Sequence, residues 1–208
     1  MKKRPLFITF EGGEGCGKST QLKLTADFLR KKNYNIVETR EPGGTPTAEK
    51  IRELILHPIE GKLSKEAELL LFMAARAEHI DTVIAPAIKQ NKIVLCDRFS
   101  DSTYAYQGVN GNLSFETMEI LNSFATNEVA PDITILLDAD TEKLLSRREA
   151  RGTKDRYEAK DLAFHMEVRK IFHMLAEMNP HRIKIVNALQ TPEAVQKDIQ
   201  DILIKAGL

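Results

Sequence analysis

The chain has 208 residues, 42% hydrophobic and 29% charged, so it can bury one substantial core, and we expect a single domain over residues 1–208. Its 30 basic and 30 acidic residues balance, so the total charge does not call for nucleic acid or an acidic membrane surface as a partner, and any attraction for phosphate must come from local clusters. The only cysteines are Cys16 and Cys96, no apolar run approaches a membrane span, and the N-terminus lacks the pattern of a signal peptide. We therefore expect a cytoplasmic protein without nucleic-acid or membrane partners.

Strand-like segments alternate with segments of helical periodicity. Short apolar runs that are unbroken rather than alternating predict strands buried on both faces, at residues 6–10, 35–37, 93–96, 133–137 and 183–186. Helical spacing predicts helices at residues 18–32, 47–56, 64–90, 114–128, 141–151, 159–178 and 191–205, the last with Thr191 as cap and Pro192 as first residue. This alternation predicts an α/β fold with a parallel sheet covered on both faces. Residues 41–46 and the basic segment 147–156 are expected to be loops near a site.

The first predicted strand leads into a complete phosphate-loop motif, G-x-x-x-x-G-K-[ST], at residues 12–19. Glycines let backbone N–H groups surround a phosphate, and the helix that follows directs its positive end at the anion. Lys18 is expected to reach the β- and γ-phosphates, and the Ser19 hydroxyl to ligate Mg²⁺. The residues predicted to bind ATP are Gly12, Gly13, Glu14, Gly15, Cys16, Gly17, Lys18, Ser19 and Thr20.

GTPase switches, ATPases and kinases share this loop, so other motifs must distinguish them. A GTP-binding switch is the alternative from another class, but Asn91-Lys92 continues into Ile93-Val94 and the Asn-Lys-x-Asp pattern that reads guanine is missing. Another nucleoside or nucleotide kinase stays open as an alternative. A nucleoside kinase would need a base to activate a hydroxyl group.

A second polar cluster follows the predicted strand 93–96. Asp97 at its end is expected to contact Mg²⁺, often through water, and Arg98 is suited to hold phosphate oxygens by a bidentate fork. Phe72 and Arg76 are four residues apart in the predicted helix 64–90, so they project from one helix face a turn apart.

Together these motifs resemble the thymidylate kinase family, of the bacterial type with lid arginines. The resemblance covers about residues 6–187 and rests on the phosphate loop, the run Glu-Pro-Gly-Gly-Thr at 41–45, Phe72 with Arg76, residues 97–107 and the basic segment from Arg147. It implies a P-loop NTPase-type, nucleoside monophosphate kinase-like fold: a five-stranded parallel sheet flanked by helices, with a mobile lid at about 147–157. It also implies phosphorylation of deoxythymidylate (dTMP) to dTDP by ATP with Mg²⁺, and commonly a homodimer, for which helix 64–90 is a candidate surface.

The resemblance further assigns roles on the acceptor side. Phe72 is expected to stack on thymine, Arg76 to hydrogen-bond its O4, and Arg98 to bind the acceptor phosphate. Tyr106 is expected beneath the deoxyribose, where a 2′-hydroxyl would crowd it, and Glu14 to read the 3′-hydroxyl. The predicted substrate-binding residues are Glu14, Glu41, Phe72, Arg76, Arg98, Ser102, Thr103, Tyr106 and Gln107.

The resemblance implies an extra catalytic arginine in either the phosphate loop or the lid. It is expected in the lid, because Gly15 and Cys16 stand in the phosphate loop where a basic residue could lie. Arg151 is the first choice and Arg156 the second. With Lys18, Arg98 and Mg²⁺, such an arginine neutralises and aligns two phosphate groups for in-line transfer. No general base is needed, since a phosphate monoester is already largely dianionic near neutral pH.

Overall fold

The computed structural model describes residues 6–57, 63–109, 113–149, 156, 157 and 159–208. In this part of the chain the strands are β1 Phe7–Glu11, β2 Ile36–Arg40, β3 Ile93–Asp97, β4 Ile133–Asp138 and β5 Ile183–Asn187. They form one sheet in the order β2-β3-β1-β4-β5, and every pairing is parallel. The predicted five-stranded parallel sheet is confirmed, and each strand extends one to three residues further toward its carboxyl end than the sequence indicated.

The helices are α1 Lys18–Lys31, α2 Pro46–Leu56, α3 Lys65–His79, α4 Ala85–Lys89, α5 Ser100–Gln107, α6 Phe115–Thr126, α7 Thr141–Glu149, α8 Leu162–Met178 and α9 Pro192–Lys205. A π-helical turn, Ile80–Ile84, joins α3 to α4, so the predicted helix 64–90 is one continuous helical segment. The turn contains Thr82, whose hydroxyl donates to the Glu78 carbonyl at 2.6 Å, and Pro86, which has no N–H, follows it. None of the described helices is long and apolar enough to cross a membrane.

Side chains cap the start of most of the longer helices. Each cap accepts a hydrogen bond from the backbone N–H three residues later, and the caps are Thr45, Ser64, Ser114, Asp161 and Thr191. The predicted start of α9 at Thr191 and Pro192 is confirmed. Helix α5 was not predicted, and it begins without a side-chain cap from its own N-cap residue, Phe99.

Helices cover both faces of the sheet, and the central strand β1 is buried along its whole length. Ile8 and Phe10 belong to the core cluster beneath α1 and α9, whereas Phe7 packs with Ile84 and Phe99 on the opposite face. Burial on both faces explains why the strands appear in the sequence as unbroken apolar runs. It also leaves the carboxyl end of β1 as the point where polar groups can gather.

The order of the strands places the carboxyl end of β1 at a crevice. Because β1 lies between β3 and β4, the connections that follow these strands diverge above the carboxyl edge of the sheet. Ligands bind in such crevices in open α/β sheets. The phosphate loop after β1 and Asp97 at the end of β3 therefore meet at this edge.

Candidate active site

The phosphate loop connects β1 to α1 and depends on glycine at specific positions. Gly12 has a φ of 136°, and a Cβ there would lie 2.3 Å from the carbonyl oxygen of Leu137. Gly17 takes the N-cap position of α1 in a left-handed conformation, without a side-chain cap. The first N–H groups of α1 are thus left for an anion at the positive end of the helix.

Lys18 and Ser19 begin α1 at the base of the loop. The buried Lys18 ammonium group donates to the carbonyl oxygens of Gly12 at 3.1 Å and Gly13 at 2.9 Å, so it spans the loop from inside. The Ser19 hydroxyl donates to a carboxylate oxygen of Asp97 at 2.7 Å. These contacts place the two predicted Mg²⁺ ligands next to each other.

The oxygen donors of Ser19 and Asp97 fit Mg²⁺. This ion prefers oxygen ligands, keeps several waters, and is usually held by one or two protein groups together with substrate phosphates. Among the described residues there is no cluster of three or more His, Cys, Asp or Glu side chains that could form a metal site without a substrate. The donor set therefore suits a metal ion that arrives with a nucleoside triphosphate.

A cleft of about 460 Å³ opens above the loop and extends toward α3 and α5. It brings together most of the predicted site residues: Glu14, Gly15, Gly17, Lys18, Ser19, Thr20, Glu41, Phe72, Arg76, Asp97, Arg98, Ser102, Thr103, Tyr106 and Gln107. Cys16 is buried in the loop, and Gly12 and Gly13 face a smaller cavity on the other side of it. Arg151 lies outside the described residues.

Arg98 lines the cleft beside the phosphate loop. Its guanidinium donates to Glu14 at 2.5 Å, to the carbonyl oxygen of Gly12 at 3.1 Å and to the hydroxyl of Ser102 at 3.0 Å, and it lies over the Tyr106 ring. Burial opposes the charged guanidinium, but Glu14 and other anionic neighbours raise the pKa of Arg98 well above its ordinary value. Arg98 is therefore a permanent cation that faces the phosphate loop.

Glu14 is the acidic partner in this pair. Burial alone would raise the pKa of Glu14, but the charges of Arg98 and then Lys18 outweigh it and lower that pKa to about 2. The Tyr106 hydroxyl also donates to the carboxylate, at 3.0 Å. Glu14 is thus an ionised acceptor for a hydroxyl group, held between the loop and α5.

Arg76 forms part of the cleft wall although its side chain is only 2% exposed. Its guanidinium donates to Glu41 at 2.8 Å, to Asn122 at 2.9 Å and to Thr103 at 3.0 Å. These bonds from the described residues use three of the five N–H donors of a guanidinium. The remaining donors suit a carbonyl group on a ligand in the cleft, and Phe72 lines the same cleft one helical turn earlier.

Glu41 lines the cleft, but its two carboxylate oxygens are taken by protein groups. Besides Arg76, it contacts Nδ1 of His79 at 3.0 Å, and Nε2 of His79 bonds the Thr39 hydroxyl at 2.6 Å. Burial would raise the pKa of Glu41, but Arg76 and His79 together lower it below its ordinary value. The geometry makes Glu41 a support for Arg76.

Replacing Glu41 by glutamine is expected to lower the free energy of unfolding by about 3–5 kcal/mol near pH 7, because it leaves the buried Arg76 cation without its charged partner. The folded-state pKa of Glu41 lies below its ordinary 4.5, so its stabilisation is present above that pH and is lost as the pH falls further. Urea denaturation of both proteins at neutral and acidic pH measures the difference.

The matched control for this test is Glu49→Gln, because Glu49 forms an exposed ion pair with Arg40. That change is expected to cost about 1 kcal/mol or less. A Glu41→Gln deficit that stays constant from neutral pH to well below 4.5 would contradict the assigned pairing.

Gln107 lines the cleft. Its amide nitrogen donates to Glu68 at 2.9 Å and to the Tyr157 hydroxyl at 3.1 Å. Its carbonyl oxygen is buried and has no hydrogen-bond partner among the described residues. A buried oxygen left in this way costs free energy unless a ligand donates to it.

Tyr157 and Glu68 were missed by the sequence analysis. The Tyr157 ring centroid lies 6.4 Å from that of Phe72 and 5.7 Å from that of Tyr106, and Tyr157 lines the cleft. Arg156, a predicted catalytic residue, forms an ion pair with Glu68 of α3 and donates to the Tyr157 hydroxyl at 2.9 Å. The sequence did offer a signal for Tyr157, because it is an aromatic residue directly after the last arginine of the basic segment. It offered no such signal for Glu68.

The sheet order, the phosphate loop after its central strand and the arginine-lined cleft beside that loop together define a nucleoside monophosphate kinase of the P-loop type. The family model described as thymidylate kinase matches residues 10–199. The thymidylate kinase of Pseudomonas entomophila strain L48 is 48% identical over 198 residues, covering 95% of this chain and 94% of its own length. That of Bradyrhizobium sp. strain ORS 278 is 45% identical over 201 residues, covering 95% and 89%.

A solved structure is similar over nearly the whole chain. The crystal structure of thymidylate kinase from Ehrlichia chaffeensis matches with a TM-score of 0.79 at 36% sequence identity, covering 97% of this chain and 99% of that one. The chain belongs to the thymidylate kinase family. The resemblance seen in the sequence is thereby confirmed.

Proposed function

We propose that the protein transfers the γ-phosphoryl group of ATP to dTMP, giving ADP and dTDP, and so serves dTTP synthesis. The observation that carries this proposal is that one cleft beside the phosphate loop is lined by Arg76, with N–H donors, and by Gln107, whose buried oxygen has no partner among the described residues. A thymine ring presents the matching groups, a carbonyl at position 4 next to an N–H at position 3. Phe72 supplies an aromatic wall for that ring.

Phosphate recognition involves an exchange of partners. Arg98 is bonded to Glu14, and the acceptor phosphate takes the place of this contact, since a dianion is a stronger partner than a single carboxylate. Glu14 is then free to accept from the 3′-hydroxyl of the deoxyribose. Lys18 turns from the loop carbonyls to the donor phosphates.

The remaining roles concern metal and lid. Ser19 and Asp97 would hold Mg²⁺, which supplies neutralisation of the donor phosphate oxygens when bound. Arg151 remains our first choice for the lid arginine that stabilises the transferring group, and Arg156, bonded to Glu68, is the second. The cytoplasmic location and the single domain over residues 1–208 remain predictions from the sequence.

An ADP-release assay across nucleosides and nucleoside monophosphates tests the proposed function. With ATP and Mg²⁺ fixed, we expect rapid release with dTMP and only background release with thymidine. Faster release with thymidine than with dTMP would show a nucleoside kinase. Slow hydrolysis of GTP that no acceptor stimulates would show a nucleotide-dependent switch.

We also propose that the protein is a homodimer, assembled through an apolar face of α3 and α6. On α3 Leu70 is 55% exposed, and on α6 Ile120 and Phe124, one turn apart, are 63% and 86% exposed, although Leu69 and Met118 of the same helices are buried in the core. Large exposed apolar side chains on helices that pack together are candidates for a protein interface. A face built from two helices of one chain can pair with its own copy around a twofold axis.

Phe124→Lys is expected to convert the dimer into a monomer, because it places a charge on the most exposed apolar side chain of this face. Sedimentation velocity of the variant and the wild type at equal concentration measures the change. Ile204→Lys, on α9, is the matched control and is expected to leave the dimer intact. A monomeric wild type, or a Phe124→Lys protein that remains dimeric, would contradict the proposed interface.

A further inference from the structure

Glu11 is the last residue of β1 and directly precedes the phosphate loop. Its side chain is fully buried. One carboxylate oxygen accepts from the backbone N–H groups of Phe99 at 2.7 Å and Ser102 at 3.2 Å, and the other accepts from the Ser102 hydroxyl at 2.5 Å. All three donors belong to the segment that contains Arg98 and the first turn of α5.

These bonds replace the cap that α5 lacks. Its N-cap residue, Phe99, makes no side-chain capping bond, so the carboxylate of Glu11 serves the N–H groups of the first turn from a distant part of the chain. A carboxylate at this position also interacts favourably with the positive end of the helix. Glu11 therefore fixes the start of α5 to the end of β1.

The same contacts restrain Arg98. Its backbone is in the left-handed region with a φ of 66°, which is unfavourable for a residue with a long side chain. The Phe99 N–H bond to Glu11 and the Arg98 N–H bond to the Phe10 carbonyl, at 2.9 Å, hold this conformation from both sides. The direction of the Arg98 side chain thus depends on the end of β1.

A second path runs through side chains. Ser102 has one hydroxyl hydrogen, and it goes to Glu11, so the Ser102 oxygen offers only lone pairs to the Arg98 guanidinium at 3.0 Å. Arg98 also donates to the carbonyl of Gly12, the residue after Glu11. Glu11, Ser102, Arg98 and Gly12 therefore form a closed ring of contacts between the phosphate loop and α5.

We propose that Glu11 is a positioning residue that holds Arg98 in register with the phosphate loop, acting through Ser102 and the start of α5. This inference rests on the proposed function, in which Arg98 binds the acceptor phosphate and the loop binds the donor. Phosphoryl transfer needs the two phosphates in line, and a displacement of about 1 Å can cost about 100-fold in rate. Glu11 sets the spacing of the two anion sites and does not itself contact substrate.

The cost of keeping a carboxylate here supports a specific role. Burial, followed by repulsion from Asp101, raises the pKa of Glu11 to about 7, although Arg98 and the bonds from Ser102 and Phe99 lower it. Among the described residues, the charged groups that interact with it include Asp101, Arg98 and Arg182. An apolar side chain would fill the space at the end of β1 without this penalty, but it would leave α5 uncapped and Arg98 unrestrained.

Steady-state kinetics of Glu11→Gln with dTMP and ATP tests the proposal. Glutamine keeps the size of the side chain, but an amide nitrogen replaces one carboxylate oxygen. That nitrogen cannot accept the hydrogen bond from the Ser102 hydroxyl. We expect kcat to fall about 10- to 100-fold while KM for ATP stays within about threefold, since Lys18 and the loop backbone are unchanged. A kcat within about twofold of the wild type would overturn the proposal.

Asp101→Asn separates positioning from a merely structural role. Asp101 is buried in the same turn of α5, but its carboxylate pairs with Arg182 at 2.6 and 2.8 Å, away from Arg98. This control is expected to lower the melting temperature and to leave kcat within about threefold. Equal losses of kcat in Asp101→Asn and Glu11→Gln would show that only stability is affected, and would overturn the proposal.

A double-mutant cycle with Ser102→Ala tests the path. If Glu11 acts through Ser102, the double variant is no slower than the slower single variant, whereas independent effects multiply. If Glu11→Gln does not fold, Ser102→Ala alone tests the proposal. The proposal then predicts that this variant lowers kcat about tenfold with KM for ATP unchanged, and a normal kcat would overturn it. Wild-type turnover of dTMP, measured in the same series, tests the proposed function separately, because these comparisons concern only differences between variants.

Discussion

Replacing Arg98 by alanine is expected to lower kcat/KM for dTMP by about 1,000-fold or more, the largest effect of any single substitution described above. The change removes the cation that receives the acceptor phosphate. It also leaves the carboxylate of Glu14, whose pKa Arg98 holds low, to repel that phosphate. KM for ATP should change little, because Lys18 and the loop backbone hold the donor. Initial rates over a range of dTMP concentrations at saturating ATP and Mg²⁺ measure both quantities.

Two further variants test whether the loss of activity is specific to the guanidinium group of Arg98. Arg98→Lys keeps the charge but loses the planar fork, so it is expected to recover only part of the activity. Arg30→Ala removes an exposed arginine of α1 that pairs with Asp27, and its activity should equal that of the wild type. If Arg98→Ala binds and phosphorylates dTMP normally, the assignment of the acceptor-phosphate site is wrong.

Base selectivity is the second large effect. We expect kcat/KM to decrease in the order dTMP, dUMP, dCMP. Uracil lacks only the methyl group of thymine, which is worth about 1–3 kcal/mol in a fitted pocket, or about 10- to 200-fold. Cytosine presents an amino group at position 4 and an acceptor at position 3. Its amino group would face the Arg76 donors, and its N3 acceptor would face the Gln107 oxygen. Such a buried mismatch is expected to cost about 10⁴-fold.

This order is measured with all three nucleotides at fixed ATP and Mg²⁺, after subtraction of ADP released without an acceptor. Gln107→Ala serves as the comparison, because removal of the buried oxygen should lower turnover of dTMP more than that of dCMP. Equal use of dCMP and dTMP by the wild type would refute the roles of Arg76 and Gln107 in base recognition.

The strands and most of the helices were predictable because their signals are local. Unbroken apolar runs mark strands covered on both faces, and Thr191 with Pro192 marks the start of α9 without reference to the rest of the chain. Helix α5 was missed because the residue that caps it, Glu11, lies at the end of β1, far from α5 in the sequence. A helix that is capped across the fold carries no start signal in its own sequence.

The candidate site divides in the same way. The phosphate loop follows from its spacing, a local property. Phe72 and Arg76 follow from the family resemblance, and the helix period adds that they share one face. The residues that hold Arg76 in place could not be predicted from the sequence. Asn122, for example, lies on α6 and contacts Arg76 only when α3 and α6 pack together. Spacing also gave no indication that Arg156 would pair with Glu68 of α3.

Identification of the products by phosphorus-31 NMR tests the central claim most directly. In a mixture of the protein with ATP, Mg²⁺ and dTMP, we expect dTDP and ADP to appear at equal rates as ATP and dTMP disappear. Formation of ADP together with inorganic phosphate, with dTMP left unchanged, would contradict the assignment of the protein as a kinase that phosphorylates dTMP.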